Sequence, residues 1–359
     1  MRFAVSQVLD AMEHRVSTDP LLVGAVLDLG EIVRLADLDG GRQANVLRLG
    51  HVIDALGRHL SDSTVAVFAV ADRALLSDIE LSSNERMVMR RWSDDGLIEV
   101  LPNGGPPAGA RVTEVSALTG LPVLSRDARY GGHRLVPMAA PGGATLTPAA
   151  VGAAPARPPA HVAALLARQW RCSEPDCPGF GQYRSAAQPP PQFRGGTPVC
   201  PRHGQPLADA GPRPPALAVT ARIDGVAQVR FPVTAAQPVA VGRAPDEPDG
   251  VQLGPHLNDE AVRRVSRSHA HLELRGEQLM VTDNSTNGTT VLARSGPDAA
   301  PRRITLTRGQ PYLLSEWDTV LLHDSVELGR ADRWTGHSGA QPTSVLADAP
   351  TMAIRVPRG

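Results

Sequence analysis

Three cysteines and one histidine stand in two close pairs: Cys172 and Cys177 with four residues between them, and Cys200 and His203 with two. A gap of 22 residues separates the pairs, and the set uses every cysteine in the chain. Thiolates and imidazole arranged as C-x4-C…C-x2-H supply the four ligands of a tetrahedral zinc ion. With all four positions filled by protein, the expected ion is structural and offers no open site for catalysis. Pro201, Gly204 and Pro206 surround the second pair with turn residues. Farther along, three polar segments follow in order: Gly242-Arg243, then Ser266-Arg267-Ser268-His269, then Asn284-Ser285-Thr286-Asn287-Gly288-Thr289. Singly they are a charged turn and a hairpin signal. Together they hold arginine forks, hydroxyls and an amide. Such groups satisfy a phosphate ester, which carries roughly −1.5 to −2 charges and three acceptor oxygens.

The order GR, SxxH, STNGT between short strands resembles the forkhead-associated (FHA) family, and the resemblance covers about residues 217–330. It implies an eleven-strand sandwich that binds phosphothreonine. Carried over residue by residue, Arg243, Ser266, Arg267 and Thr286 would touch the phosphate and Asn287 the peptide backbone. Gly242, His269 and Gly288 would be structural, the histidine bracing the loops and Gly288 permitting the turn. The stretch between Arg243 and Ser266 is long and acidic, a departure that bears on which residues beside the phosphothreonine are tolerated. Residues 161–210 resemble a zinc ribbon, a module that binds either proteins or nucleic acids.

Toward the amino terminus, Asp28, Asp72 and Asp127 each fall at or just past the end of an apolar run, and Glu114 lies on the helix before the last of them. At the carboxyl ends of parallel strands such side chains can converge on a magnesium or manganese ion. The segments VLDLGEIV and LPVLSRDARYGG are similar to the first and late acidic strands of PIN-like (NYN-type) ribonucleases, which use such a ring to activate water on RNA. The family's acidic residue at the penultimate helix falls near Gly109, so Glu114 is the stand-in. Asp at a strand end is equally good turn and helix-cap chemistry.

The elements that must position these groups divide the chain. Apolar runs at 21–27, 64–71, 97–101 and 121–124 alternate with helical patterns at 42–60 and 72–92, which predicts a three-layer α/β domain with a parallel sheet over 1–135. A Pro/Ala/Gly stretch at 136–160 reads as a linker, and the Pro-rich insert between the cysteine pairs as a projecting loop. Short alternating strands between turns predict an all-β sandwich over 217–330, and 331–359 carries no core pattern and reads as a disordered tail.

Composition narrows the function. The 36 basic residues, all arginine, and 37 acidic ones leave a formal charge of −1, so no global field draws the chain onto RNA or anionic lipid. Three cysteines point to a reducing compartment, and no apolar run is long enough to span a membrane, so a cytoplasmic protein is expected. Two functions follow. The chain is a phosphothreonine-binding signalling adaptor downstream of a serine/threonine kinase, or a phosphorylation-recruited, metal-dependent ribonuclease. Thr343 and Thr351 each follow proline and precede an aliphatic residue by three positions. An aliphatic residue there resembles what many FHA domains accept beside a phosphothreonine, which makes both threonines candidate phosphorylation sites for docking on Arg243, Ser266 and Thr286 of the same chain or of a neighbouring copy.

Overall fold

The computed structural model describes residues 2–130, 133–149, 160–182, 188–235, 238–296, 298–331 and 344–346. In the first domain, strands β1 (Val23–Asp28), β2 (Ala66–Asp72), β3 (Glu99–Leu101), β4 (Val123–Leu124), β5 (Arg134–Ala140) and β6 (Gly143–Pro148) form a sheet of order β3-β2-β1-β4-β5-β6. Every neighbouring pair is parallel except the β5–β6 hairpin. Helices α1 (Arg2–Glu13), α2 (Leu29–Ile32), α3 (Leu47–Leu60), α4 (Ser83–Asp94) and α5 (Ala108–Thr119) cover it. Because strand side chains alternate faces, Ala25, Leu27, Val67 and Ala69 pack with Leu49, Ile53 and Met89, while Val26, Phe68 and Val70 pack with Val112 and Val115. The result is a three-layer core whose central strands are buried on both sides.

The stretch expected to be a linker is in its first half sheet: residues 134–148 are the β5–β6 hairpin. Gly142 at φ 83° and Gly143 at φ 147° make the turn. The strands were hidden because alanines, glycines and prolines carry no hydrophobic period, a composition suited to an edge hairpin.

The cysteine-bearing module pairs Arg168–Arg171 with Ala208–Pro212 and Gln192–Arg194 with Thr197–Val199, both antiparallel. Trp170, Phe180 and Leu207 pack around the three cysteines. In its Pro-rich insert, residues 188–192 are buried instead of projecting. The carbonyls of Pro190 and Pro191 accept hydrogen bonds at 2.5 and 3.2 Å from Arg111, which is 1% exposed on α5. A buried guanidinium needs acceptors on every face, and these carbonyls provide them.

The last domain is a sandwich of a six-stranded and a five-stranded antiparallel-rich sheet, eleven strands between Ala216 and Arg330. Val219, Phe231, Val241, Leu272, Val281, Val291 and Val320 fill the space between the sheets. The tail expected to be disordered contains a docked segment: Ser344, Val345 and Leu346 bond to Asp54 on α3. Thr343 and Thr351 lie outside the described residues. No helix among the described residues is long and apolar enough to cross a membrane.

Candidate functional site: the Arg243–Ser266–Thr286 rim and the cysteine–histidine cluster

Strand Val239–Gly242 ends where the chain must pass a neighbouring backbone at van der Waals limit. A Cβ on Gly242 would sit 2.0 Å from the Arg267 carbonyl oxygen, so only glycine fits. The contact lays residues 241–244 along 266–269: Arg243 N–H donates to Ser266 O at 3.0 Å, Ala244 N–H to Arg267 O at 3.2 Å, and His269 N–H to Val241 O at 2.9 Å. His269 is fully buried. Its Nδ1 accepts from Ser266 N–H at 3.1 Å and its Nε2 lies 3.3 Å from Gly288 O, a geometry that assigns the proton to Nε2. Burial pushes its pKa below the ordinary 6.5, so the ring is a neutral tie between two loops.

The second loop is shaped by its own side chains. Asp283 accepts from Ser285 N–H at 2.9 Å and Thr289 Oγ1 at 2.7 Å, and Gly288, at φ 87°, donates to Ser285 Oγ at 2.8 Å. This places Thr286 beside Ser266. Their hydroxyls are 3.3 Å apart, and Thr286 N–H donates to Ser266 Oγ at 3.2 Å. Arg243 is exposed, its Nη1 3.4 Å from Val262 O. Asn287 donates to Arg264 O at 2.7 Å. Two mobile protons, an amide and a guanidinium thus stand on one exposed rim.

Residues 239–322 match the family model described as "FHA domain". This part of the chain is an FHA domain. The family implies phosphothreonine-dependent protein interaction. Solved structures with a similar fold include the MEK1 FHA domain (23% identity, 32% of this chain and 88% of that one, TM-score 0.24). Another is the FHA domain of human APLF in complex with an XRCC1 bisphospho peptide (22%, 31% and 97%, TM-score 0.23). A third is the FhaA FHA domain complexed with the intracellular domain of Rv3910 (26%, 31% and 98%, TM-score 0.19). No curated protein matches the chain.

Within the FHA domain, Arg267 is engaged away from Ser266 and Thr286 by the acidic stretch that follows Arg243. It forms a salt bridge with Asp246, while Glu247 accepts from Ser268 at 3.0 Å and lies 3.2 Å from His271. His271 in turn is 3.1 Å from Asn284. The acidic patch therefore borders the loop that carries Ser266, a link readable in the sequence only as charge complementarity between 246–247 and 267–271.

The second cluster is metal-ready. The ligand atoms of Cys172, Cys177, Cys200 and His203 all lie within 4.8 Å of one another, with separations of 3.3 Å (Cys172 Sγ to His203 Nδ1), 3.5 Å (Cys200 Sγ to His203 Nδ1) and 3.7 Å (Cys177 Sγ to Cys200 Sγ). Ligands at about 2.3 Å (S) and 2.0 Å (N) in a tetrahedron would be roughly 3.5–3.8 Å apart, so a single dication fits between them. Turns hold both pairs: Gly181 N–H donates to Cys177 O and Gly204 N–H to Cys200 O, each at 2.7 Å, with Gly204 at φ 68°.

Asp28, Asp72 and Glu31 lie close enough for the last two to add to the burial that raises the pKa of Asp28, but among the described residues they form no set of three ligand atoms within 4.8 Å of one another. Among the described residues the cysteine–histidine set is the only group placed to hold a metal. Asp28 caps α2 by accepting from Gly30 and Glu31 N–H, and its pKa is raised mainly by burial. Asp72 accepts from Ala108 N–H at 3.0 Å. Glu114 turns to the cysteine-bearing module, accepting from Arg111 at 2.7 Å and Phe193 N–H at 2.8 Å. Asp127 pairs with Arg129 in solvent. Cap chemistry, the alternative noted for aspartates at strand ends, accounts for Asp28, whereas Asp72 makes no cap bond to the turn it precedes and instead meets the start of α5. Glu31 went unrecognised in the sequence. It accepts from Ser125 Oγ at 2.6 Å and Arg126 N–H at 2.7 Å, tying β4's end to α2.

Proposed function

We propose that the protein is a phosphothreonine-reading signalling adaptor that acts downstream of a serine/threonine kinase. The observation that carries this reading is the pair of hydroxyls on Ser266 and Thr286, 3.3 Å apart beside the exposed Arg243. A phosphate ester set there would accept from both hydroxyls, from Thr286 N–H and from the guanidinium, and these charge-assisted bonds are each worth about 1.5–3 kcal/mol. The Asn287 amide is placed to hold the backbone of the bound peptide. Arg267 would reach the ligand only by leaving Asp246, so acidic residues in a peptide would compete with that salt bridge.

Zinc is the metal proposed for Cys172, Cys177, Cys200 and His203, because three thiolates and one imidazole suit it and the spacing suits a tetrahedron. Its role would be structural. The ribonuclease alternative would need Asp28, Asp72, Glu114 and Asp127 around magnesium or manganese; the backbone and arginine partners that each already has argue for the adaptor.

The deciding experiment is a calorimetric titration of the full chain with a phosphothreonine peptide library, with the unphosphorylated and phosphoserine peptides as references. Micromolar binding confined to phosphothreonine supports the reading, and equal affinity for all three contradicts it.

A further inference from the structure

Helix α3 offers one carboxylate to a segment 290 residues away. Asp54, 7% exposed, accepts from Ser344 Oγ at 2.5 Å and from Val345 N–H at 2.6 Å, and Leu346 N–H lies 3.4 Å from it. One helical turn before Asp54 is Gly50, on the same face. A Cβ at Gly50 would come within 2.7 Å of Leu346 Cδ2 and 3.0 Å of Met12 Sδ, so the missing side chain is the notch that Leu346 enters. Val345 packs against the core of the first domain. Two close hydrogen bonds to a single carboxylate, a Leu346 N–H that also donates to Ser344 Oγ at 3.0 Å, and an aliphatic plug beside them make a specific seat.

The seat depends on the Ser344 hydroxyl being neutral. Ser344 is half-buried and so still presents a surface. We propose that Ser344 is a phosphorylation site that works as a latch: unmodified, it holds the carboxyl-terminal segment on Asp54, and phosphorylated, it releases it. In the modifying step, Ser344 Oγ attacks the γ-phosphorus of ATP on a serine/threonine kinase. The O–P bond forms, the bond to the bridging oxygen breaks, ADP leaves, and the hydroxyl proton passes to a base of the kinase. The product puts two anions where a donor and an acceptor had met. The cations that sense Asp54 do not rescue the contact. Arg15 is 8% exposed with Nε held by Val65 O at 2.7 Å, and burial pushes His51 toward its neutral form. Release uncovers the Gly50 notch while the three folded modules keep their own cores. The latch stands apart from the phosphothreonine reading, since neither Asp54 nor Ser344 belongs to the FHA rim.

The amides of Val345 and Leu346 report the latch directly, and hydrogen exchange on the full chain reads them. Four proteins are compared: unmodified, with phosphoserine installed at position 344, Ser344→Ala, and Asp54→Asn carrying the same phosphoserine. Exchange across α3 serves as the check that each remains folded. Both amides should be protected in the unmodified protein, and phosphoserine should speed their exchange by about tenfold or more. Ser344→Ala should keep the protection of Val345, whose bond to Asp54 survives it, while Leu346, whose N–H donates to Ser344 Oγ at 3.0 Å, should lose part of its own. Asp54→Asn should blunt the effect of the phosphate, because the repelling charge is gone. Protection that is absent from the unmodified protein, unchanged by phosphoserine, or lost equally at Val345 in Ser344→Ala overturns the proposal. Titrating the same four proteins with a phosphothreonine peptide keeps failure at the FHA rim distinguishable from failure of the latch.

Discussion

Asp62, two residues past the end of α3, and Arg230, on the FHA strand Val226–Thr234, meet at 2.7 Å with side-chain exposures of only 2% and 13%. Around them Ser61 O accepts from Ala227 N–H at 3.1 Å, and Ser63 N–H donates to Ala227 O at 3.0 Å. The α/β domain and the FHA domain therefore share a buried ion pair framed by backbone bonds.

Removing one partner of that pair should cost more than removing both. Asp62→Ala leaves the Arg230 charge buried without its carboxylate and should destabilise by about 3 kcal/mol. The double variant Asp62→Leu with Arg230→Met should recover part of the loss. Denaturation midpoints of the three proteins, followed by probes in each domain, measure it.

Arg111 links the metal module to the first domain as tightly. Its guanidinium, fully buried, donates to Glu99 at 2.6 Å as well as to the Pro190 and Pro191 carbonyls. Chelation of the metal should loosen residues 188–200 and carry through Arg111 to α5, lowering the melting temperature of the first domain. Hydrogen exchange over Ala108–Thr119 with and without chelator is the readout. Exchange confined to the metal module would mean that the seat is not energetically coupled.

Much of the FHA rim was legible because its chemistry resides in side chains of fixed order: Gly242-Arg243, Ser266 with His269, Thr286 to Gly288. The seats between modules were not legible, because backbone supplies half of each. Pro190 O, Pro191 O, Ala227 O and Ser61 O are groups that nearly every residue offers, and no residue type announces that they will be used. The Ser344 segment was hidden for a related reason. Three residues without periodicity carry no pattern, and their partner Asp54 looked like one more polar position on α3. Glu114 misled in the opposite direction, since its carboxylate serves Arg111 and Phe193 N–H.

The two rim glycines should respond differently to alanine. Gly242→Ala drives a Cβ to 2.0 Å from backbone and should cost about 3 kcal/mol or abolish FHA folding. Gly288→Ala meets open space but must hold φ 87°, so about 1–2 kcal/mol is expected. Thermal melts of the two variants rank them.

His269 gives the FHA domain a pH dependence of defined sign. Its folded pKa lies below the ordinary 6.5, so between the two values the unfolded chain binds the proton more readily. Its contribution to stability is complete above about pH 6.5 and is lost as pH falls toward the folded value. Melting temperatures between about pH 5 and 7.5 should fall on acidification. That slope should shrink in His269→Gln, which starts less stable.

Arg243 carries the central claim. Its side chain is exposed and makes one long bond to Val262 O, so Arg243→Ala should leave the melting temperature within about 1 °C of the parent. Loss of a charge-assisted phosphate contact should weaken binding of a fluorescent phosphothreonine peptide by about tenfold to a hundredfold. Fluorescence anisotropy on the full chain, parent against Arg243→Ala, measures this. A tenfold or greater loss of affinity in a protein of unchanged stability is the expected result, and equal affinity in the two proteins would contradict the assignment of this rim as the phosphate reader.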